Sequence, residues 1–316
     1  MKPLLVVNPR SGGGKTGQIF DAMRGPIERA LGPVDVALTE RPRHATDLAR
    51  EAALAGRETV IAVGGDGSIH EVVSGLMRAR EEGAQGSRLG IIGQGTGGDF
   101  AKTLGLEHRL DRYCGVIANG KTRRIDVGRF TYTANDGSTE GRASGWFVNI
   151  LSVGIGGLVD RYVADTSKSL GGTVAYFAAS LRGLVDSAVG VLRCRIEDGE
   201  ERREEEIQTR SMAICNGRFF GSGMQVAPMA ELDDGRFDVI DLGAASRLRF
   251  AAVSSRMYGG THVQHPDVRH FRCSRLAIDL VNGDVRDRFL LDVDGEPLGR
   301  LPIEVELVPR ALEVFA

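Results

Sequence analysis

Three times in its first hundred residues the sequence runs a short apolar segment into a glycine-rich turn and then into a helical pattern. LLVVN leads into PRSGGGKT, ETVIAVGG into DGSIHEVV, and RLGIIG into QGTGGDF. Apolar strands alternating with helices build a parallel sheet covered on both faces. In such a sheet, turns at the carboxyl ends of the strands line one crevice. VDVALT adds a further strand. Residues 44–55 put Ala45, Leu48, Ala49 and Ala52 on one helical face. Residues 69–80 put Ile69, Val72, Val73, Leu76 and Met77 at amphipathic helix spacing. Residues 16–31 also read as helix, with a break or kink expected at Gly25-Pro26.

The rhythm changes after about residue 124. RRIDVGRFTYT and GWFVNI read as strands, and 156–187 as helix with a glycine break at Gly171-Gly172. Strand patterns follow at 189–196, 206–215, 236–242, 269–281, 287–293 and 303–308. The charged run EDGEERREEE, residues 197–206, reads as a solvated hairpin tip. The expected fold class is α/β plus β-rich. A Rossmann-like parallel-sheet domain spans 1–124 and a β-sandwich-like domain 125–308, with residues 309–316 packing back on the first. A chain of 316 residues accommodates two such domains.

Charge narrows the function. A formal net charge of −2 gives no basic footprint for wholesale nucleic-acid binding. Cys114, Cys194, Cys215 and Cys273 are scattered without a CxxC pair, which reads as free thiols in a reducing compartment. No apolar stretch approaches a membrane span, and the apolar run near the first residue is too short for a signal peptide. The expectation is a cytoplasmic protein.

The turns carry the chemistry. Gly14-Lys15-Thr16 matches the end of a Walker A loop, but Pro9 stands where that loop needs its first glycine. The first turn is therefore a phosphate loop of another kind, or a plain turn. In VGGDGSIHEVVSGL a strand delivers Gly65, Asp66, Gly67 and Ser68 into a helix whose first N–H groups suit a phosphate. A carboxylate at Asp66 suits a Mg2+ ion between it and phosphates. Asp66 and Ser68 also read as helix caps. In IIGQGTGGDFAKTLG, Thr96 can bond phosphate and Asp99 can cap the next helix.

These stretches resemble the diacylglycerol kinase catalytic-domain family, the superfamily that includes sphingosine and ceramide kinases and bacterial lipid kinases. NPRSGGGK, GGDGSIHEVVSGL and GTGGDFA resemble its nucleotide loops. FVNILSVGIGG, AICNGRFFGSGMQVAPMAELDDGRFDV and LDVDGE follow in the family's order. The resemblance implies ATP and Mg2+ as cofactors, with Asn8, Pro9, Arg10, Ser11, Gly12, Thr39, Gly65, Asp66, Gly67, Ser68, Glu71 and Thr96 on the nucleotide. It implies that Asp66 and Asp126 organise Mg2+ and that Asp294 is the general base, with Glu296 beside it. It implies a second, structural Mg2+ at Asp234, held also by the carbonyls of Glu231 and Arg236. Gly98 departs from the family, which has Asn there, and Ser68 replaces the commoner Thr.

The implied activity is transfer of the γ-phosphate of ATP to a hydroxyl of a diacylglycerol-like, ceramide-like or sphingoid-like membrane lipid. The implied setting is the inner face of a membrane, with peripheral contact and no nucleic acid. LTERPRHATDLA and HEVVSGLM resemble the sphingosine and ceramide kinase branch. Phe219, Phe220 and Met224 are candidates for a lipid pocket and also read as core. Residues 246–260, with Arg247, Arg249 and Arg256, are a candidate anionic-surface contact and also read as a plain surface helix. RRIDVGRF and the second-domain strands are candidates to pair across a homodimer. Two rival functions stand beside this one. A soluble-metabolite kinase related to NAD kinase or phosphofructokinase shares the GGDG turn, and a non-catalytic nucleotide-binding regulator could keep the fold.

Overall fold

The computed structural model describes residues 1–95, 97–133, 142–165 and 182–316. The chain divides into two compact units, Met1–Val127 with Pro309–Ala316, and Gly128–Val308. Among the described residues no helix is long and apolar enough to cross a membrane.

The first unit is the α/β part. Its strands are β1 (Leu4–Val7), β2 (Asp35–Leu38), β3 (Thr59–Gly64) and β4 (Arg88–Gly93). They pair in parallel in the order β2-β1-β3-β4, and Glu313 and Val314 of the last strand add to the β4 edge. Leu5, Val6, Val7, Ile61, Val63, Leu89 and Ile92 are buried, as the continuous apolar runs require. Helices α1 (Lys15–Leu31), α2 (His44–Leu54), α3 (Asp66–Glu81), α4 (Asp99–Thr103) and α5 (Leu110–Asn119) fill the connections. β1 leads to β2 on one side and β3 lies on the other, so the order reverses between β1 and β3. A crevice forms at such a switch point.

Helix α1 corrects one expectation, since it runs unbroken through Pro26. Phe20, Met23 and Ile27 continue one buried face across the proline. Their burial outweighs a missing N–H that costs about 3 kcal/mol in a helix interior.

The second unit is β-rich. β5 (Thr122–Thr133) enters it from the first unit and pairs with β6 (Arg142–Phe147). β7 (Ile150–Gly154) follows, then α6 (Ile155–Asp165), β8 (Gly190–Asp198), β9 (Glu201–Thr209), β10 (Ser211–Cys215), β11 (Phe219–Phe220), β12 (Met224–Gln225) and β13 (Phe237–Asp241). Helix α7 (Arg247–Ser255) precedes β14 (Arg269–Cys273), β15 (Arg275–Leu280), β16 (Leu290–Val293) and β17 (Glu296–Phe315). One run is β14-β13-β10-β7-β16-β17, and β17 also pairs with β15, which continues to β8 and β9. Leu151, Val153, Ile214, Val239 and Leu291 from the first run share a buried cluster with Leu192, Cys194, Leu276, Ile303 and Val305 from the second. All four cysteines are buried free thiols.

The charged run is also corrected. Only Asp198–Glu201 forms the turn, and Glu201 onward is strand β9, paired to β8 in register. β9 is an edge strand, and charges along an edge discourage further pairing. The expected strand over 269–281 is two strands divided at Ser274. The expected glycine break at Gly171-Gly172 lies outside the described residues.

Replacing Pro26 by Ala restores the missing donor without touching the buried face. Pro26→Ala is expected to raise the unfolding free energy by about 1–3 kcal/mol, read from urea titration. An unchanged or lower value would contradict this account of α1.

Candidate active site

In the first unit the three glycine turns meet. A Cβ built on Gly65 would lie 3.5 Å from Ser11 Oγ and 3.4 Å from Gly95 Cα, while one on Gly95 would lie 2.8 Å from Gly65 Cα. At position 95 only glycine lets the second and third loops approach this closely. A Cβ on Gly12 would stand 3.0 Å from the Gln94 carbonyl oxygen, so the first and third loops touch as well. Asn8 locks the first two loops. Its Nδ2 donates to Ser68 Oγ at 3.2 Å and its Oδ1 accepts from the Arg10 N–H at 3.0 Å. Pro9 accepts from the Gly17 N–H at 3.0 Å, joining the first loop to α1. Thr39 follows β2 directly, its N–H donating to the Val7 carbonyl at 2.8 Å. Thr96 lies outside the described residues.

Asp66 turns inward. Its Oδ2 accepts from the Gly98 N–H at 2.9 Å and its Oδ1 from the Phe100 N–H at 3.3 Å. Asp66, rather than Asp99, therefore caps α4. The reason is Gly98, whose left-handed backbone (φ 60) aims these donors at the preceding loop. Asn is the other residue that tolerates this conformation, so the departure from the family keeps the turn. Burial first, then the Asp99 carboxylate, push the Asp66 carboxyl above the ordinary aspartate range, against backbone N–H donors that pull it down. Behind the third loop, Tyr113 is buried with its hydroxyl 3.0 Å from His108 Nδ1. Burial and Asp66 push this phenol up to about 12. The sequence reading missed both residues, because Tyr113 sits on an ordinary amphipathic helix.

Glu71 and Asp126 are bound elsewhere. Glu71 accepts from the N–H groups of Arg43 and Ala45 at 3.0 and 3.1 Å, which fixes the start of α2. Asp126 is fully buried, and its Oδ1 accepts from the Arg310 N–H at 2.6 Å.

In the second unit Asp294 and Gly295 form the two-residue turn between β16 and β17, with φ of 51 and 86. Both values are positive, as a type I′ hairpin requires. The turn drives the Asp294 carboxylate inward. Oδ1 accepts from the N–H groups of Asn149 and Ile150 at 3.0 and 3.1 Å, and Oδ2 from Val148 at 3.2 Å. Glu296 is exposed beside it. Asn149 and Asn216, quoted earlier only for their place in family order, complete the frame. Asn149 Nδ2 donates to the Phe219 carbonyl at 2.8 Å, and Asn216 Nδ2 to the Val148 carbonyl at 2.7 Å. Asn149 is buried, and its Oδ1 makes no hydrogen bond among the described residues. Phe220 and Met224 pack half-buried against a core cluster.

The implied groups fare differently. For phosphate the first unit fits, and Asp66 is the carboxylate that a Mg2+ ion on that phosphate would meet. Thr16, buried in the first turn of α1 behind the first loop, has an Oγ1 with no hydrogen bond among the described residues, and the loops supply glycine backbone around it. Among the described residues no cluster of three His, Cys, Asp or Glu side chains could hold a metal alone. Mg2+ is commonly held by one or two carboxylates together with substrate phosphates. For the second Mg2+ the residues do not fit. Asp234 is bound by the Arg272 guanidinium, and its Oδ1 accepts from the Arg236 N–H at 3.1 Å. Two donors of the chain itself occupy these oxygens, which a Mg2+ ion would need free. The Arg272 guanidinium is the cation that Asp234 meets in this structure.

Against this geometry the comparisons are consistent. The fold has two parts, α/β and β-rich. The family model described as the diacylglycerol kinase catalytic domain matches residues 2–130. The model described as the YegS C-terminal NAD kinase beta sandwich-like domain matches residues 149–316. The chain belongs to the diacylglycerol kinase and YegS-like lipid kinase family. It is 28% identical over 271 residues to a diacylglycerol kinase of Bacillus subtilis (strain 168), covering 85% of this chain and 81% of that protein. It is 28% identical over 306 residues to a "Probable lipid kinase YegS-like" of Chromohalobacter salexigens, covering 95% and 89%. A solved diacylglycerol kinase from Bacillus anthracis str. Sterne superposes with a TM-score of 0.70 at 19% identity, over 99% of this chain and 96% of that one. Yeast NADH kinase shares the fold at a TM-score of 0.51, with 10% identity over 99% and 82%.

If Arg272 is the resident cation at Asp234, metal removal leaves the second unit unaffected. EDTA is expected to leave the melting temperature of the nucleotide-free protein unchanged, while Arg272→Ala lowers stability by about 1–3 kcal/mol. A melting temperature that falls with EDTA and recovers with Mg2+ would contradict it.

Proposed function

We propose that this protein is an ATP- and Mg2+-dependent kinase that phosphorylates a hydroxyl of a diacylglycerol-class membrane lipid at the inner face of a membrane. The observation that carries the reading is the meeting of three glycine loops at the switch-point edge of a parallel sheet. The diacylglycerol kinase names of the relatives support this acceptor over ceramide or sphingoid bases.

The loop at Asn8–Gly12, the turn at Gly65–Ser68 and the start of α3 bind and orient the triphosphate. A helix leaves its first N–H groups without intrahelical partners, and these face anions favourably. Mg2+, when bound, neutralises charge on the transferred phosphoryl group, and Asp66 with the phosphates would hold it. Asp66 also holds the third loop against the second. Asp294 accepts the proton of the acceptor hydroxyl as its oxygen bonds to the γ-phosphorus and the bond to the ADP oxygen breaks. Its backbone donors orient the carboxylate before substrate arrives, which lowers the cost of positioning.

The test is phosphate transfer from γ-labelled ATP with Mg2+ to diacylglycerol, ceramide, sphingosine and phosphatidylglycerol in mixed micelles, beside NAD and fructose 6-phosphate. Diacylglycerol is expected to be labelled, and Asp294→Asn to lower kcat by about 100-fold or more with native circular dichroism. Labelling of NAD or fructose 6-phosphate alone would overturn the lipid reading, and full activity in Asp294→Asn would remove the base assignment.

A further inference from the structure

Two arginines of the second unit stand together, and among the described residues neither has an acidic partner. Arg210 Nε donates to the Ala245 carbonyl at 2.6 Å, and its Nη1 reaches the Ser187 carbonyl at 3.4 Å and Ser187 Oγ at 3.2 Å. Arg247 Nη2 donates to the same Ser187 carbonyl at 3.2 Å. One oxygen thus holds both guanidinium groups side by side. Each keeps N–H groups beyond these bonds, because a guanidinium carries five. The nearby carboxylates are engaged with other groups. Asp186 accepts from the Tyr162 hydroxyl at 2.6 Å and pairs with Arg182, Asp241 accepts from the Gly243 N–H, and Asp267 pairs with Arg249. Burial and the charge of Arg247 both disfavour the charged form of Arg210, and no carboxylate among the described residues offsets them.

The surroundings identify what relieves this repulsion. Leu248, next to Arg247, is 86% exposed, and Val185, two residues before Ser187, is 59% exposed. An anion in free solution has no use for aliphatic side chains held in water. A lipid surface does, since apolar groups enter the headgroup boundary while arginines meet the phosphates. Arg is also the residue best matched to phosphate by its forked donors.

We propose that Arg210 and Arg247 bind the phosphate of an anionic phospholipid headgroup, with Leu248 and Val185 entering the lipid beside it. The site is separate from the residues assigned to phosphoryl transfer, and it rests on the lipid-kinase reading only in its choice of a bilayer as the surface. Arg249 belongs to the same helix but is already paired with Asp267, so it is the internal control.

The test is co-sedimentation of the full chain with vesicles of phosphatidylcholine containing phosphatidylglycerol, against pure phosphatidylcholine. Arg247→Glu is expected to weaken binding to the anionic vesicles by about 10- to 30-fold. Leu248→Ser should weaken it several-fold, and Arg249→Ala should leave it unchanged. Arg210→Lys is measured beside them, because Arg210 also supports Ser187 and its loss could disturb folding. Equal vesicle binding by wild type and Arg247→Glu overturns the proposal. So does Arg247-dependent binding of inorganic phosphate accompanied by unaltered vesicle binding in Leu248→Ser, which would make this a site for a soluble anion. Phosphorylation of short-chain diacylglycerol below its micellar concentration separates the two readings. Activity there, with vesicle binding insensitive to Arg247, removes this site alone. Arg247-dependent vesicle binding without phosphorylation of any lipid leaves the site standing and removes the kinase reading.

Discussion

Carboxylates that accept main-chain N–H donors from a distant segment tie this chain's turns and helix starts together, two of them, Asp126 and Asp294, fully or nearly buried. Asp66 takes donors from Gly98 and Phe100, Glu71 from Arg43 and Ala45, Asp126 from Arg310, and Asp294 from Val148, Asn149 and Ile150. Each bond lies within one unit. Hydrogen bonds to a charged partner contribute about 1.5–3 kcal/mol each, and losing the acceptor leaves buried N–H groups unsatisfied. Glycine-rich turns need such ties, because glycine loses more conformational freedom on folding than any other residue.

This dual use explains why the acidic residues recur at the site. Asp66 is a loop clamp that also stands at the start of α3, where phosphate and a metal would gather. Asp294 is both the turn of a hairpin and a carboxylate held by three donors. Asp234 is the contrasting case. Its neighbours are an arginine side chain and an N–H group, so it closes an ion pair with the chain's own cation.

Much of the architecture was legible because it rests on local periodicity. Apolar runs gave β1, β3 and β4, and the spacing of Ile69, Val72, Val73, Leu76 and Met77 gave α3. The DG pair at Asp294-Gly295 announced a turn, and the turn is there. What stayed hidden depends on residues far apart in sequence. Asp66 reaches its partners 32 and 34 residues away, Asp294 about 145 residues away, and Arg272 meets Asp234 across 38. Pro26 and the charged strand β9 misled for a related reason. Local propensity argued for a break and a loop, while packing and strand pairing decided otherwise.

The central claim is that the glycine loops at the carboxyl ends of β1, β3 and β4 form one phosphate site. Amide hydrogen exchange with and without ATP and Mg2+ tests it most directly. The account predicts added protection in segments 9–14, 64–68 and 94–99 together, and none at the opposite strand ends around residues 3, 58 and 87. Protection confined to those opposite ends, or no change in the three loops at saturating nucleotide, would contradict it.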